Sequence, residues 1–123
     1  MNVILALLAP VLAAALAYAL NLPQSFGAHP WWSTNVILIG TPIGLVIGAG
    51  LALTPLPKAA RLVVTAIATL AAIGIASHGK TRFAASYAED TFGGQMWFFG
   101  WIAICALLAA AIAASLWPRR TTH

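Results

Sequence analysis

The side chains with chemistry to offer are few, and they lie in two stretches: His29 in one, and His78, Lys80, Arg82, Glu89 and Asp90 in the other. Two imidazoles and two carboxylates form a donor set that can bind zinc or copper, or divide the work of acid and base. Their spacing matches no HExxH or CxxC pattern, and solvated loop residues facing water are the better account of it. His29, His78, Arg82, Glu89 and Asp90 therefore define a candidate polar site with no stated metal and no cofactor. Cys105 is the single cysteine, so it has no intrachain disulfide partner. No base or cation stands near it to activate the thiol, and among its alanine neighbours it reads as a small apolar packing residue.

The elements that must position these residues follow from composition. Of 123 residues, 62% are hydrophobic and 7% charged, with a mean hydropathy of +0.94. A soluble domain spends about a quarter of its residues on Asp, Glu, Lys and Arg, and a disordered chain needs low hydrophobicity with high charge. Neither description fits, so the expected solvent is the lipid bilayer. A spanning helix takes about 20 apolar residues, and four runs qualify: 2–22, 34–53, 59–77 and 96–117. Together they form one four-helix transmembrane domain over residues 1–123, expected to be a compact all-α bundle. The small-x-small patterns around Ala15, Ala17 and Ala19 also suit a cleaved secretory signal. Met1, Asn2 and Val3 lack the basic start that such a signal needs, so the first run is read as a retained span.

Charge sets the orientation. Lys58, Arg61, Arg119 and Arg120 share one side, against Lys80 and Arg82 on the other, and the positive-inside rule then places both termini in the cytoplasm. Trp31, Trp32, Trp97 and Trp101 fall at the outer boundary and Trp117 at the inner one. The net charge of +4 comes from residues divided between both faces, which suits anionic headgroups and gives no support to nucleic-acid binding. Haem would need two facing histidines at bilayer depth; His29 and His78 sit at span edges, and His123 lies in the tail.

Helices in lipid associate through close contact. Gly40, Gly44 and Gly48 recur every four residues and make a groove on the second span, which Gly50 and Ala52 extend. That groove serves either packing within the bundle or self-association. Pro42 lies between two of these glycines and should bend the helix. Pro55 and Pro57 enforce a tight turn, making the second and third spans an antiparallel hairpin. Thr65 and Thr69 share a face, the expected inward one, and back-bond to their own helix more readily than they line a path. In the outer loop 78–95, Phe83, Ala84, Tyr87, Ala88 and Thr91 recur at helical spacing, suggesting a short amphipathic helix broken by Gly93 and Gly94.

No ionisable residue lies in the core of a span, which argues against proton- or ion-coupled transport. The expectation is a multi-pass protein of a bacterial inner membrane, acting without a catalytic constellation as a subunit or accessory component of a membrane assembly. Its partners would be the lipid bilayer and either further copies of itself or a larger membrane complex. A small oligomeric transporter or channel for an apolar or amphiphilic solute is the alternative. An outer-face metal site or membrane enzyme comes third.

Overall fold

The computed structural model describes residues 3–29, 32–87 and 89–118. Met1, Asn2, Trp31, Ala88, Arg119, Arg120 and His123, which entered the reading above, lie outside the described residues. Five helices follow in order: α1 (Val3–Leu20), α2 (Leu22–Ser25), α3 (Asn35–Ala52), α4 (Lys58–Ala85) and α5 (Thr91–Leu116), with no strand among the described residues. All but α2 are long and apolar enough to cross a membrane. Helices α1 and α3 occupy the runs expected at 2–22 and 34–53. Helices α4 and α5 outgrow 59–77 and 96–117 and absorb the expected outer loop 78–95 almost entirely.

Helix α5 is the hub. Along one of its sides, Gly40 lies against Ile102, Cys105 and Ala106, Gly44 against Ala106 and Ala109, and Gly48 against Ala110 and Ala113. The two numberings climb together, so α3 and α5 run parallel. A Cβ at Gly44 would collide with the Ala106 carbonyl oxygen, and one at Gly48 would stand 2.8 Å from the Ala113 Cβ. The glycines are thus required by backbone-level approach, and α5 answers them with alanines. Ala106, Ala109, Ala110, Ala113 and Ala114 are all buried.

On another side α5 meets α4, antiparallel. Gly79 stands opposite Gly93, Met96 and Trp97, and Gly100 stands opposite Ala76. Ala72, Ala76 and Ile104 close a small core with Trp101, Ala103 and Leu107 around it. The buried positions of α4 are Thr65, Ala72, Ala76 and Gly79, which follow the three-and-four spacing of a coiled-coil seam. Helices α3 and α4 join through a short turn but make no extended contact with each other, because α5 engages each of them separately. The expected packed hairpin of the second and third spans is therefore corrected. A tight turn fixes direction, whereas packing goes to the surface with the closest fit, and α5 supplies that surface to both.

Helix α1 is peripheral. It buries only Ala6 and Pro10, resting against α5 and α3. An apolar groove of about 480 Å³ opens between α1 and α3, with Val11, Tyr18, Ile37 and Pro42 among its walls. Large apolar side chains face outward over the whole unit, including Ile4 (69% exposed), Val46 (74%) and Leu70 (68%). The inside is small-residue backbone and the outside is hydrocarbon, the arrangement suited to lipid as solvent.

Hydroxyls within the helices are spent locally. Thr65 donates to the carbonyls of Arg61 at 3.0 Å and Leu62 at 3.1 Å, Thr69 to that of Thr65 at 2.6 Å, and Ser115 to that of Ile112 at 3.0 Å. Arg61 folds back over the α3–α4 turn and donates to the carbonyls of Leu56 (3.1 Å) and Ala52 (3.2 Å). It thereby holds a carbonyl at the end of α3 that no helical partner remains to satisfy. Among the described residues no buried side-chain nitrogen or oxygen lacks a partner.

Gly50 and Gly74 meet nothing within 4 Å of a would-be Cβ, so Gly50 does not extend the groove, although Ala52 at 1% exposure does. This contrast gives a test. Gly44→Ala should destabilise the protein by about 1–3 kcal/mol through overpacking. Gly74→Ala, with free space and a better helix former, should be neutral or stabilising by up to about 1 kcal/mol. Unfolding by SDS titration from a mild detergent, followed by circular dichroism, measures both.

Candidate functional site

The polar chemistry gathers at one end of the unit, here named the Trp97 end. At a rise of about 1.5 Å per residue, α4 with 28 residues and α5 with 26 are ~42 and ~39 Å long, whereas α1 and α3 with 18 each reach ~27 Å. The contacts of Gly40 and Gly48 fix the register of α3 against the Trp117 end of α5. The excess length of α4 and α5 therefore projects past α3 at the Trp97 end, as an antiparallel helical tip carrying residues from about 78 to 99.

The tip reverses direction in a turn built from side chains. Helix α4 ends at Ala85, and Tyr87 takes a left-handed φ of 56°. The Ser86 hydroxyl donates to the Phe83 carbonyl (2.9 Å) and accepts from the backbone N–H groups of Glu89 (3.2 Å) and Asp90 (2.8 Å). Asp90 then caps α5, accepting from the Gly93 N–H at 2.9 Å with one carboxylate oxygen, while the other takes the Arg82 Nε–H at 2.8 Å. Arg82 also reaches over the Phe92 ring, 5.2 Å from its centroid. Gly93 and Gly94 do not break the chain, as the sequence suggested; they lie in the first turn of α5. A Cβ on Gly93 would stand 3.0 Å from the Arg82 Cβ, and one on Gly94 2.9 Å from the Phe83 ring. These glycines admit α4 side chains, and the separate amphipathic helix is replaced by a continuous α4.

Beside the tip lies the segment joining α1 to α3. Asn21 adopts a left-handed φ of 50° and stops α1, a conformation that Asn tolerates better than most residues. Its side-chain oxygen accepts from the Ser33 hydroxyl at 2.8 Å, closing the ends of the segment on each other. The middle is fastened to α5 by the Trp97 indole N–H, which donates to the Gly27 carbonyl at 3.1 Å. Around that bond the rings assemble: His29 is 5.9 Å from Trp32 and 5.4 Å from Trp97, and Trp32 is 5.1 Å from Trp97 and 5.2 Å from Phe98. Phe83 of α4 completes the cluster, 5.8 Å from Trp97. Aromatic pairs at such distances contribute about 0.5–1.5 kcal/mol each beyond area burial. A surface groove of about 550 Å³ runs over them, with Thr91 and Gln95 at its edge.

The five candidate polar residues thus divide. Arg82 and Asp90 meet, as a structural clasp across the tip. His29 joins the rings, and His78 and Glu89 are exposed. Among the described residues no three His, Cys, Asp or Glu side chains gather as a metal site would require. The residues that organise this end, Trp32, Phe83, Trp97 and Ser86, stood outside the candidate list. The tryptophans were legible as boundary markers, but their mutual contact is a product of the fold. Asp90 ahead of an apolar run is a readable helix start.

Compared with family models, curated proteins and solved structures, the chain matches none.

The Gly93 N–H bond, aided by the Arg82 guanidinium against some desolvation, holds the Asp90 carboxyl below its ordinary pKa. A depressed carboxylate stabilises the fold fully above the unfolded value of about 3.9, and that stabilisation is lost as pH falls through the lower, folded value. Wild-type protein should therefore lose thermal stability on acidification below about pH 4. Asp90→Asn should start lower at neutral pH and show a flatter acid limb, as read from melting temperature against pH.

Proposed function

We propose that this chain is a multi-pass protein of a bacterial inner membrane, with both termini in the cytoplasm and the Trp97 end outside. Within that membrane it acts as a small subunit or accessory component of a larger assembly. The observation that carries this reading is the closed interior. Where helices meet, glycine and alanine bring backbones together, and the helix hydroxyls of Thr65, Thr69 and Ser115 bond to their own carbonyls. A coupled transporter keeps ionisable groups at membrane depth for its cargo, and no charged side chain lies in the middle of a described span. What such a molecule can offer is surface: the sparsely buried α1, the groove it shares with α3, and the ordered tip.

Self-association through Gly40, Gly44 and Gly48 does not enter the proposal, because α5 fills that groove. Partners would meet the chain instead on the α1 side, where outward residues include Leu12 (60% exposed) and Leu16 (59%). A second reading is favoured by one feature: the apolar groove of about 480 Å³ beside Thr41 and Pro42 suits an apolar or amphiphilic solute held within the membrane.

Gentle extraction and mass measurement of the intact particle separates these readings. The subunit reading expects a co-purifying complex well above the 12.8 kDa chain and no solute movement in liposomes. A particle made of this chain alone, monomer or oligomer, that moves solute would overturn it. Orientation is checked in a Cys105→Ala background with a membrane-impermeant maleimide on intact cells. Glu89→Cys should label and Lys58→Cys should not, and the reverse pattern would place the termini outside.

A further inference from the structure

We propose that the groove running from Lys80 and Ser77 past Trp97 and Trp101 to Leu108 seats one anionic phospholipid, its phosphate at the Lys80 ammonium and an acyl chain along α5. The proposal rests on the membrane placement above and on three observations.

The first is charge. Among the described residues, Arg82 is paired with Asp90, and Arg61 is occupied by the carbonyls of Ala52 and Leu56. Lys80 makes no ion pair there; its Nζ lies 5.9 Å from the Trp97 ring centroid, and a Cβ on Gly27 would stand 3.0 Å from it. An exposed ammonium held over an indole at the mouth of a groove is drawn to an anion.

The second is polarity along the groove. Its volume is about 310 Å³, with Lys80 and Ser77 at the head, the two tryptophans along the wall, and Ile73, Ile104 and Leu108 below. No carboxylate lines it. A cation at the top of an apolar trough matches a headgroup followed by hydrocarbon.

The third is length. From Trp97 to Leu108, α5 rises about 16 Å at 1.5 Å per residue, which is half of a hydrocarbon core about 30 Å thick. The groove therefore spans one leaflet, starting at the level where tryptophan prefers to sit. A soluble anion would use the head alone, whereas a lipid uses the whole trough.

The full chain in mild detergent, examined by native mass spectrometry, provides the test. Phosphatidylglycerol and phosphatidylcholine of identical acyl chains are offered in turn, as is inorganic phosphate alone. Resistance to alkaline carbonate extraction is recorded first, since its failure strikes the membrane placement and everything resting on it. For a resistant protein, the expected result is selective retention of one phosphatidylglycerol. Lys80→Gln should reduce that retention at least about fivefold, the effect of one lysine near the headgroups. Lys80→Arg should keep it, and Lys58→Gln, the same charge loss at the other end, should leave it unchanged, with helicity equal in all variants. Equal retention of the two lipids, equal loss in Lys80→Gln and Lys58→Gln, or displacement of the lipid by inorganic phosphate would each overturn the lipid site while leaving the membrane placement standing.

Discussion

Backbone-level contact on two sides of α5 is the constraint from which the rest of the structure follows. Between helices in lipid the gain comes from dispersion, which falls steeply once atoms separate by even an ångström. Gly44 against Ala106 and Gly100 against Ala76 leave no side-chain volume between the helices. With α3 and α4 each drawn to a different side of α5, the two make little contact with one another, despite the short turn between them. Helix α1, which offers only Ala6 and Pro10 to the interior, takes the remaining place at the edge.

The same register dictates what stands at the Trp97 end. Because α3 meets α5 only from about Ile102 to Ala113, whereas α4 reaches back to Gly93, the first turns of α5 extend past α3 and are flanked by α4 and by Gly27, His29 and Trp32. That exposed length is held by the Arg82–Asp90 clasp, by the Ser86 turn and by Gly27, which Trp97 pins. Arg61, Arg82, Ser86 and Asp90 are therefore engaged in finishing helices and fastening turns. The clustering of the last three at one end reflects the mechanical needs of an overhang as much as any chemistry.

Much of this was legible in the sequence, and the failures are instructive. Long apolar runs located α1 and α3 closely, since hydrocarbon thickness leaves little freedom in length. The four-residue spacing of Gly40, Gly44 and Gly48 marked a contact face, though not its occupant. The ends of α4 and α5 are hidden in the sequence because Gly93 and Gly94 have the signature of a helix break while lying inside α5. A glycine inside a helix can equally signal that a neighbour comes close, and only Asp90, a capping residue three positions before Gly93, distinguished the two. The proximity of Trp32 to Trp97 had no local signature, because it depends on where a loop closed by Asn21 and Ser33 comes to rest. Of the candidate polar residues, only the pairing of Arg82 with Asp90 is drawn by the fold, for the same reason: sequence places charges along a chain, whereas pairing needs the angle between two helices.

The parallel alignment of α3 with α5 also bears on how the chain comes into being. Gly40 and Gly48 find their partners at Cys105 and Ala113, which are made only after α4 has been completed. Synthesis at about 5–20 residues per second leaves α3 waiting for several seconds. A chain delivered to the membrane from its amino terminus holds an uncovered glycine groove for that interval, and anything with a flat, small-residue helix face competes for it. The order of synthesis and the order of packing are thus uncoupled in this chain. Helix α5, made after α1, α3 and α4, supplies the surface that each of them packs against.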